Sequence, residues 1–292
     1  MTAEFALPTL VAVALVSAMG LFDWRLKPHV ALPVLSCSML LAAGAAVALA
    51  AATAAGFVLG PSRSTILTDW CPAIPLDHQV GAAAGTTSLV ALMFASARVS
   101  RVVFARFRAV RSVAAGERVS IVTDTRFIAY AIPSKAGCVV VSTGLLASLS
   151  PTERRAVFAH ERAHLQLGHH RHTLLAEVCV AVLPILRQLA GQLRHATERA
   201  ADEAAAEQVN SRPAVARAIG TAALGPSASA LPALGGGSVA RRVEALLWPD
   251  REQLASRPVS SLAVVILAIA GLSVGMQLHH FGVLIEHICS IT

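Results

Sequence analysis

The sequence predicts a mainly α integral membrane protein with about four transmembrane helices. Between the third and fourth it predicts an α+β domain with a small β-sheet. Three observations support this reading. Of 292 residues, 55% are apolar and only 14% charged, where a soluble domain carries about a quarter charged residues. The apolar residues concentrate before residue 98 and after residue 259. The stretch between them, roughly 160 residues, is long enough to bury a core of its own. The expected divisions are therefore a membrane domain over 1–97, a polar domain over 98–258, and a last span with a short tail over 259–292. A disordered or collagen-like chain is excluded by the same composition.

A helix needs about 20 apolar residues to cross a bilayer core. Four stretches qualify: Phe5 to Phe22, Val30 to Leu59, Gln79 to Ala97 and Ser261 to Leu278. The second is longer than a span requires and is expected to tilt or extend past the lipid. The third is rich in small residues (Gly81, Ala82, Ala83, Ala84, Gly85), which predicts a place inside the bundle. The first has no basic residue before it, only Glu4. It reads as a retained anchor rather than a cleaved leader.

Basic residues set the expected orientation. Arg25 and Lys27 lie between the first and second segments. Arg98, Arg101, Arg106, Arg108 and Arg111 follow the third, and Arg241, Arg242, Arg251 and Arg257 precede the fourth. The loop between the second and third segments carries only Arg63. Both termini are thus expected outside and the polar domain in the cytoplasm. The formal net charge of +7 has the same origin and implies contact with the lipid bilayer, not nucleic acid. No nucleic-acid-binding pattern accompanies it. From Arg98 to Arg111 the residues Val99, Val103, Phe107 and Val110 share one face, which predicts a basic helix lying along an anionic surface.

Within the polar domain, Val119 to Thr123, Phe127 to Ile132 and Val139 to Ser142 read as strands. Asp124-Thr125-Arg126 is expected to join the first two as a hairpin. Ser150-Pro151-Thr152-Glu153 is a capping box with proline at the first helical position, so a helix is expected from there to about Leu167. Further helices are expected over about Thr173 to Gly191, Leu193 to Val209 and Val239 to Leu247. Residues 225–238 have loop composition, as a gate or a site of self-cleavage would. The five cysteines are scattered without a C-x-x-C pair, which argues against a disulfide framework or a cysteine zinc site.

The capped helix carries His160-Glu161-Arg162-Ala163-His164, an H-E-x-x-H. Residues four apart project from one helix face, so two imidazoles can reach one Zn²⁺ ion. Glu161 is placed to accept a proton from an attacking water. A hydrolytic zinc site wants a third protein ligand and an open position. Glu198, in Glu198-Arg199-Ala200-Ala201-Asp202, is the candidate, with His195 a weaker rival. Asp202, one turn later, is placed to fix a histidine tautomer. His169, His170 and His172 read as a polar helix end near the headgroups.

These residues resemble the membrane-embedded gluzincin zinc metallopeptidases. The order strand, Ser142-Thr143-Gly144-Leu145-Leu146, Ser150-Pro151-x-Glu153, H-E-x-x-H and E-x-x-A-D is similar to two related families. One is the BlaR/MecR sensor peptidases and the other the HtpX and CAAX-prenyl peptidases. Arg242-Val243-Glu244-Ala245-Leu246 resembles a segment that follows the catalytic part in both. Three spans before the protease and one after are closer to BlaR/MecR. Their penicillin-binding sensor domain is not expected here: neither Lys27 nor Lys135 completes a Ser-x-x-Lys. The Thr-His-Pro common in HtpX-like enzymes is replaced by Gly236, Gly237 and Ser238, which leaves the oxyanion partner unassigned, with Tyr130 and Arg242 as candidates.

The resemblance implies a zincin-like, membrane-bound, zinc-dependent metalloendopeptidase in a bacterial plasma membrane. It would hydrolyse protein substrates at the cytoplasmic face, with one Zn²⁺ per chain. The partner is expected to be a cytoplasmic repressor, as in BlaR/MecR-like signalling. The alternatives are a misfolded membrane protein, as for an HtpX-like quality-control protease, or no substrate, as for an idle scaffold. Pairing of an extended substrate with the strand around Val139 to Val141 is also implied.

Overall fold

The computed structural model describes residues 3–21, 27–59, 80–111, 118–133, 137–225, 235–248 and 264–275. Three helices come first: α1 (Ala3–Met19), α2 (Pro28–Leu59) and α3 (Ala82–Arg111). Strands β1 (Val119–Val122), β2 (Ala129–Ile132) and β3 (Cys138–Ser142) follow. Then come α4 (Thr143–Ser148), α5 (Pro151–Gln166), α6 (His169–Val182), α7 (Arg187–Val209), α8 (Arg212–Leu224) and α9 (Gly235–Leu247). Helix α10 covers Val264–Gly275.

The expected mainly helical chain with a small sheet is present; of the four expected spans, two are found among the described residues. Among the described residues, two helices are long and apolar enough to cross a membrane, over Pro28–Val58 and Ala82–Arg108. The apolar parts of α1 and α10 are shorter, Ala6–Met19 and Val264–Gly275. Helix α1 gives way to a turn at Gly20 and Leu21.

The third segment is not the inner one. None of the apolar window of α3 is buried, against 39% of that of α2. Helix α2 packs on α1, α3, α6 and α7, and its alanines Ala31, Ala42, Ala43, Ala45 and Ala54 are buried. Of the small residues of α3, Gly85 serves close approach to one neighbour: a Cβ there would collide with the Phe57 ring. Nor is the basic stretch 98–111 a separate surface helix. It continues α3 without a break.

The sheet order is β1-β3-β2, so the expected β1–β2 hairpin does not form. β1 runs parallel to β3, with Val119 opposite Val139 and Val122 opposite Ser142. β2 is antiparallel to β3, with Ala129 opposite Val141 and Ile132 opposite Cys138. The connecting segment instead wraps the end of β3. Ser142 Oγ donates to the Arg126 carbonyl at 2.6 Å, and Gly144 N–H donates to the Asp124 carbonyl at 2.9 Å. A Cβ on Gly144 would lie 2.4 Å from the Thr125 carbonyl oxygen, so this crossing requires glycine. All five residues of β3 are buried, as an uninterrupted apolar run in a central strand should be.

Ser142 caps α4 by accepting from Leu145 N–H. The capping box of α5 is as expected: Ser150 Oγ accepts from Glu153 N–H, and the Glu153 carboxylate accepts from Ser150 N–H at 2.9 Å. The helix expected over 173–191 is broken. α6 stops at Val182, a 3-10 turn occupies Pro184–Leu186, and α7 begins at Arg187. Pro184 lacks the N–H that a continuous helix would need.

Two apolar cores result. One joins α1 and α2 to α6 and the first half of α7, through Met19, Leu35, Met39, Leu186, Leu189 and Leu193. The other joins the sheet to α4, α5, α8, α9 and the end of α7, through Val139, Val141, Leu145, Val157, Ala205 and Leu246. Helix α7 runs through both. Residues 226–234 of the expected loop lie outside the described residues, and 235–238 open α9.

Candidate metal centre

The site forms where α5 crosses α7. The 3.6-residue repeat puts His160 and His164 on one face of α5, and their Nε2 atoms lie 3.2 Å apart. Helix α7 brings Glu198 against them. Its Oε2 is 3.5 Å from His160 Nε2 and its Oε1 is 3.5 Å from His164 Nε2. His160, His164 and Glu198 are the one set of metal-ligand type whose donor atoms cluster among the described residues. His195 does not belong to it.

These distances test whether an ion would fit. Tetrahedral ligands at 2.0–2.1 Å from a common centre lie about 3.3–3.4 Å from one another. The two imidazole nitrogens, 3.2 Å apart, match such an edge, and each lies 3.5 Å from a different oxygen of the Glu198 carboxylate. The carboxylate contacts are too long for good hydrogen bonds. One donor atom from each residue lies within 4.8 Å of the others, a cluster that could hold a small divalent cation.

Surrounding groups hold the donors. His160 Nδ1 lies 2.9 Å from Asp202 Oδ1, one turn beyond Glu198 on α7. A proton on that Nδ1 leaves Nε2 free to bind a metal. Arg242 on α9 donates from Nε and Nη2 to the two Asp202 oxygens, each at 2.7 Å. Its Nη1 is 3.0 Å from Glu198 Oε2. One guanidinium thus positions both carboxylates, the bidentate geometry that arginine suits.

His164 has a support that the sequence reading placed elsewhere. His169 is not a headgroup-facing residue. It is 1% exposed, and its Nδ1 is 3.0 Å from His164 Nδ1. Gly168 makes this possible: its φ of +65° is a left-handed conformation favoured by glycine. It turns the chain at the end of α5 and folds His169 back behind His164. A proton on His164 Nδ1, donated to His169 Nδ1, would leave His164 Nε2 free to bind a metal. His172, also assigned to the headgroups, meets Ser36 Oγ of α2 at 2.8 Å.

Glu161 is 9% exposed, and it feels the charges of His160, Glu198 and Arg242. Burial pushes its pKa up to about 6, toward the range of a general base near neutrality. Burial opposes charge on His160, yet the Asp202 and Glu198 carboxylates outweigh it and push its pKa up to about 9. Burial lowers His164 to about 4. Burial also disfavours the Glu198 carboxylate, but His160 and Arg242 hold it down at about 2. Glu198 and Asp202 are therefore anionic, and the field that favours a proton on His160 equally favours a cation. Tyr130, the other oxyanion candidate, is 48% exposed on β2.

Two imidazoles and a carboxylate that could hold a metal ion, with a buried second carboxylate beside them on an H-E-x-x-H helix, are the groups that a metal-dependent hydrolase needs. The profile of peptidase family M48 matches residues 95–245, more than half of the chain, and the chain belongs to that family of zinc metallopeptidases. No curated protein and no solved structure matches it significantly.

Proposed function

We propose that the chain is a membrane-bound zinc endopeptidase, cutting flexible protein segments at the cytoplasmic face. The observation that carries this reading is the spacing of the three donor atoms beside Glu161. Zinc held by His160, His164 and Glu198 would polarise a peptide carbonyl and lower the pKa of water. Glu161 takes the proton of the attacking water and passes it to the leaving amine nitrogen. Asp202 keeps the His160 tautomer, and Arg242 keeps Asp202 and Glu198 in place.

The expected pairing of substrate with Val139 to Val141 does not hold, because β3 is already paired on both sides. The outer edge of β2 takes over that role in this proposal. β2 packs against α5, and an extended segment added to its edge would run along the H-E-x-x-H helix. The apolar helices α2 and α3 support a membrane location, and the basic residues support a cytoplasmic site.

The test is Glu161→Gln. It should keep its metal and lose about 10²–10⁴-fold in turnover; undiminished proteolysis would remove Glu161 as the base. Comparative proteomics of cells carrying the wild type or Glu161→Gln then separates the two substrate classes. Stabilisation of one cytoplasmic regulator supports a BlaR/MecR-like role. Accumulation of many damaged membrane proteins supports HtpX-like quality control.

A further inference from the structure

Arg98 and Arg101 of α3 and Arg187 and Arg194 of α7 line a cavity of about 550 Å³ between α3, α6 and α7. They are far apart in sequence but meet because α3 and α7 both pack around α6. Arg98 donates to the Val180 carbonyl at 3.4 Å, which directs its guanidinium to the α6 wall. The one acidic side chain of the lining, Glu177, is occupied by Arg106, whose Nε donates to Oε2 at 2.8 Å. Arg101, Arg187 and Arg194 have no carboxylate partner among the described residues. Like charges gathered in a concavity with apolar walls repel one another and focus a positive potential there. An anion relieves that repulsion, and planar guanidiniums suit phosphate oxygens.

The surroundings indicate what carries the phosphate. Phe94 stands one turn before Arg98 on the same face of α3 and is 68% exposed. Met93 beside it is 63% exposed. A cationic hollow therefore adjoins an uncovered apolar helix surface, which suits a ligand with a charged head and a hydrocarbon tail.

We propose that this cavity binds a phosphate-bearing anion, and that in the membrane this is the headgroup of an anionic phospholipid. The binding chemistry is independent of the peptidase reading. Only the lipid as its source rests on the membrane location.

The full-length protein in zwitterionic detergent provides the test. Retention of phosphatidylglycerol is measured by native mass spectrometry against phosphatidylcholine. In parallel, protection from thermal unfolding is measured with soluble glycerol phosphate. The double variant Arg101→Ala, Arg187→Ala is compared with a charge-matched control, Arg118→Ala, Arg155→Ala, whose residues lie away from the cavity.

Wild type and control should retain phosphatidylglycerol preferentially, with binding about thirtyfold weaker in the double variant. Protection by glycerol phosphate alone, lost in the double variant, would uphold the phosphate site and assign it a soluble ligand. Equal losses in both double variants, or no dependence on these arginines in either assay, would overturn the proposal. If the double variant is not monodisperse, Arg101→Glu is used and should show at least the same direction of loss. Because no readout is proteolysis, failure here leaves the assignment of Glu161 untouched.

Discussion

The two cores differ in how they treat polar groups. In the core built on α1 and α2, two buried hydroxyls turn back on their own helix and a third, Ser36 Oγ, meets His172: Ser38 Oγ donates to the Val34 carbonyl at 2.7 Å, and Thr53 Oγ1 to the Leu49 carbonyl at 2.8 Å. Among the described residues no charged side chain is buried in that core. Beside the sheet, buried Glu161 and Asp202 stand with His160, Glu198 and Arg242 in one ionic network. Such a network is tolerable only when its members satisfy one another. Glu198 and Asp202 lie on α7 between its Leu189–Ala196 stretch in the first core and its Ala205–Ala206 stretch in the second. The site thus occupies the seam, where one helix passes from an apolar bundle into a polar domain.

The largest expected effect tests whether the two cores are stabilised differently. Leu145→Ala should cost about 2–5 kcal/mol, the range for a buried leucine in a packed core. Leu35→Ala should cost less in bilayer, because lipid is as apolar as the site that leucine leaves. Denaturation of both variants in nanodiscs compares them, and equal costs would remove the distinction. Asp202→Asn should weaken metal binding by about 10–100-fold, as loss of a group supporting a ligand does. Competition with a chelator measures this. His169→Gln is expected near the lower end, about tenfold, in the same assay; an unchanged affinity would make His169 a packing residue only. Smallest is Ser150→Ala, about 1 kcal/mol from loss of the α5 cap, read as a lowered melting temperature with zinc content retained.

The clustering of the candidate metal ligands was legible because they obey helix periodicity. His160 with His164, and Glu198 with Asp202, are each four residues apart, and the capping box marks where α5 begins. What could not be read depends on chain reversals. His169 lies five residues after His164, off the ligand face of an ideal helix, and reaches its neighbour only through the left-handed turn at Gly168. The central place of β3 was visible in its apolar run, but the short Asp124–Arg126 link read more simply as a hairpin. Among the small residues at the start of α3 only Gly85 marks a close contact, and one such contact does not distinguish an inner helix from an outer one. The arginine cavity brings together residues nearly a hundred positions apart, and no local pattern could have assembled it. Arg242 was singled out by its motif, but its double clamp on Asp202 and Glu198 emerged only from the packing of α9 on α7.

The most direct test of the central claim is the metal content of the purified full-length protein and of Glu198→Ala. Elemental analysis should find about one zinc per wild-type chain and most of it lost from Glu198→Ala. Full zinc content in Glu198→Ala, with loss on His195→Ala instead, would contradict the His160, His164 and Glu198 centre.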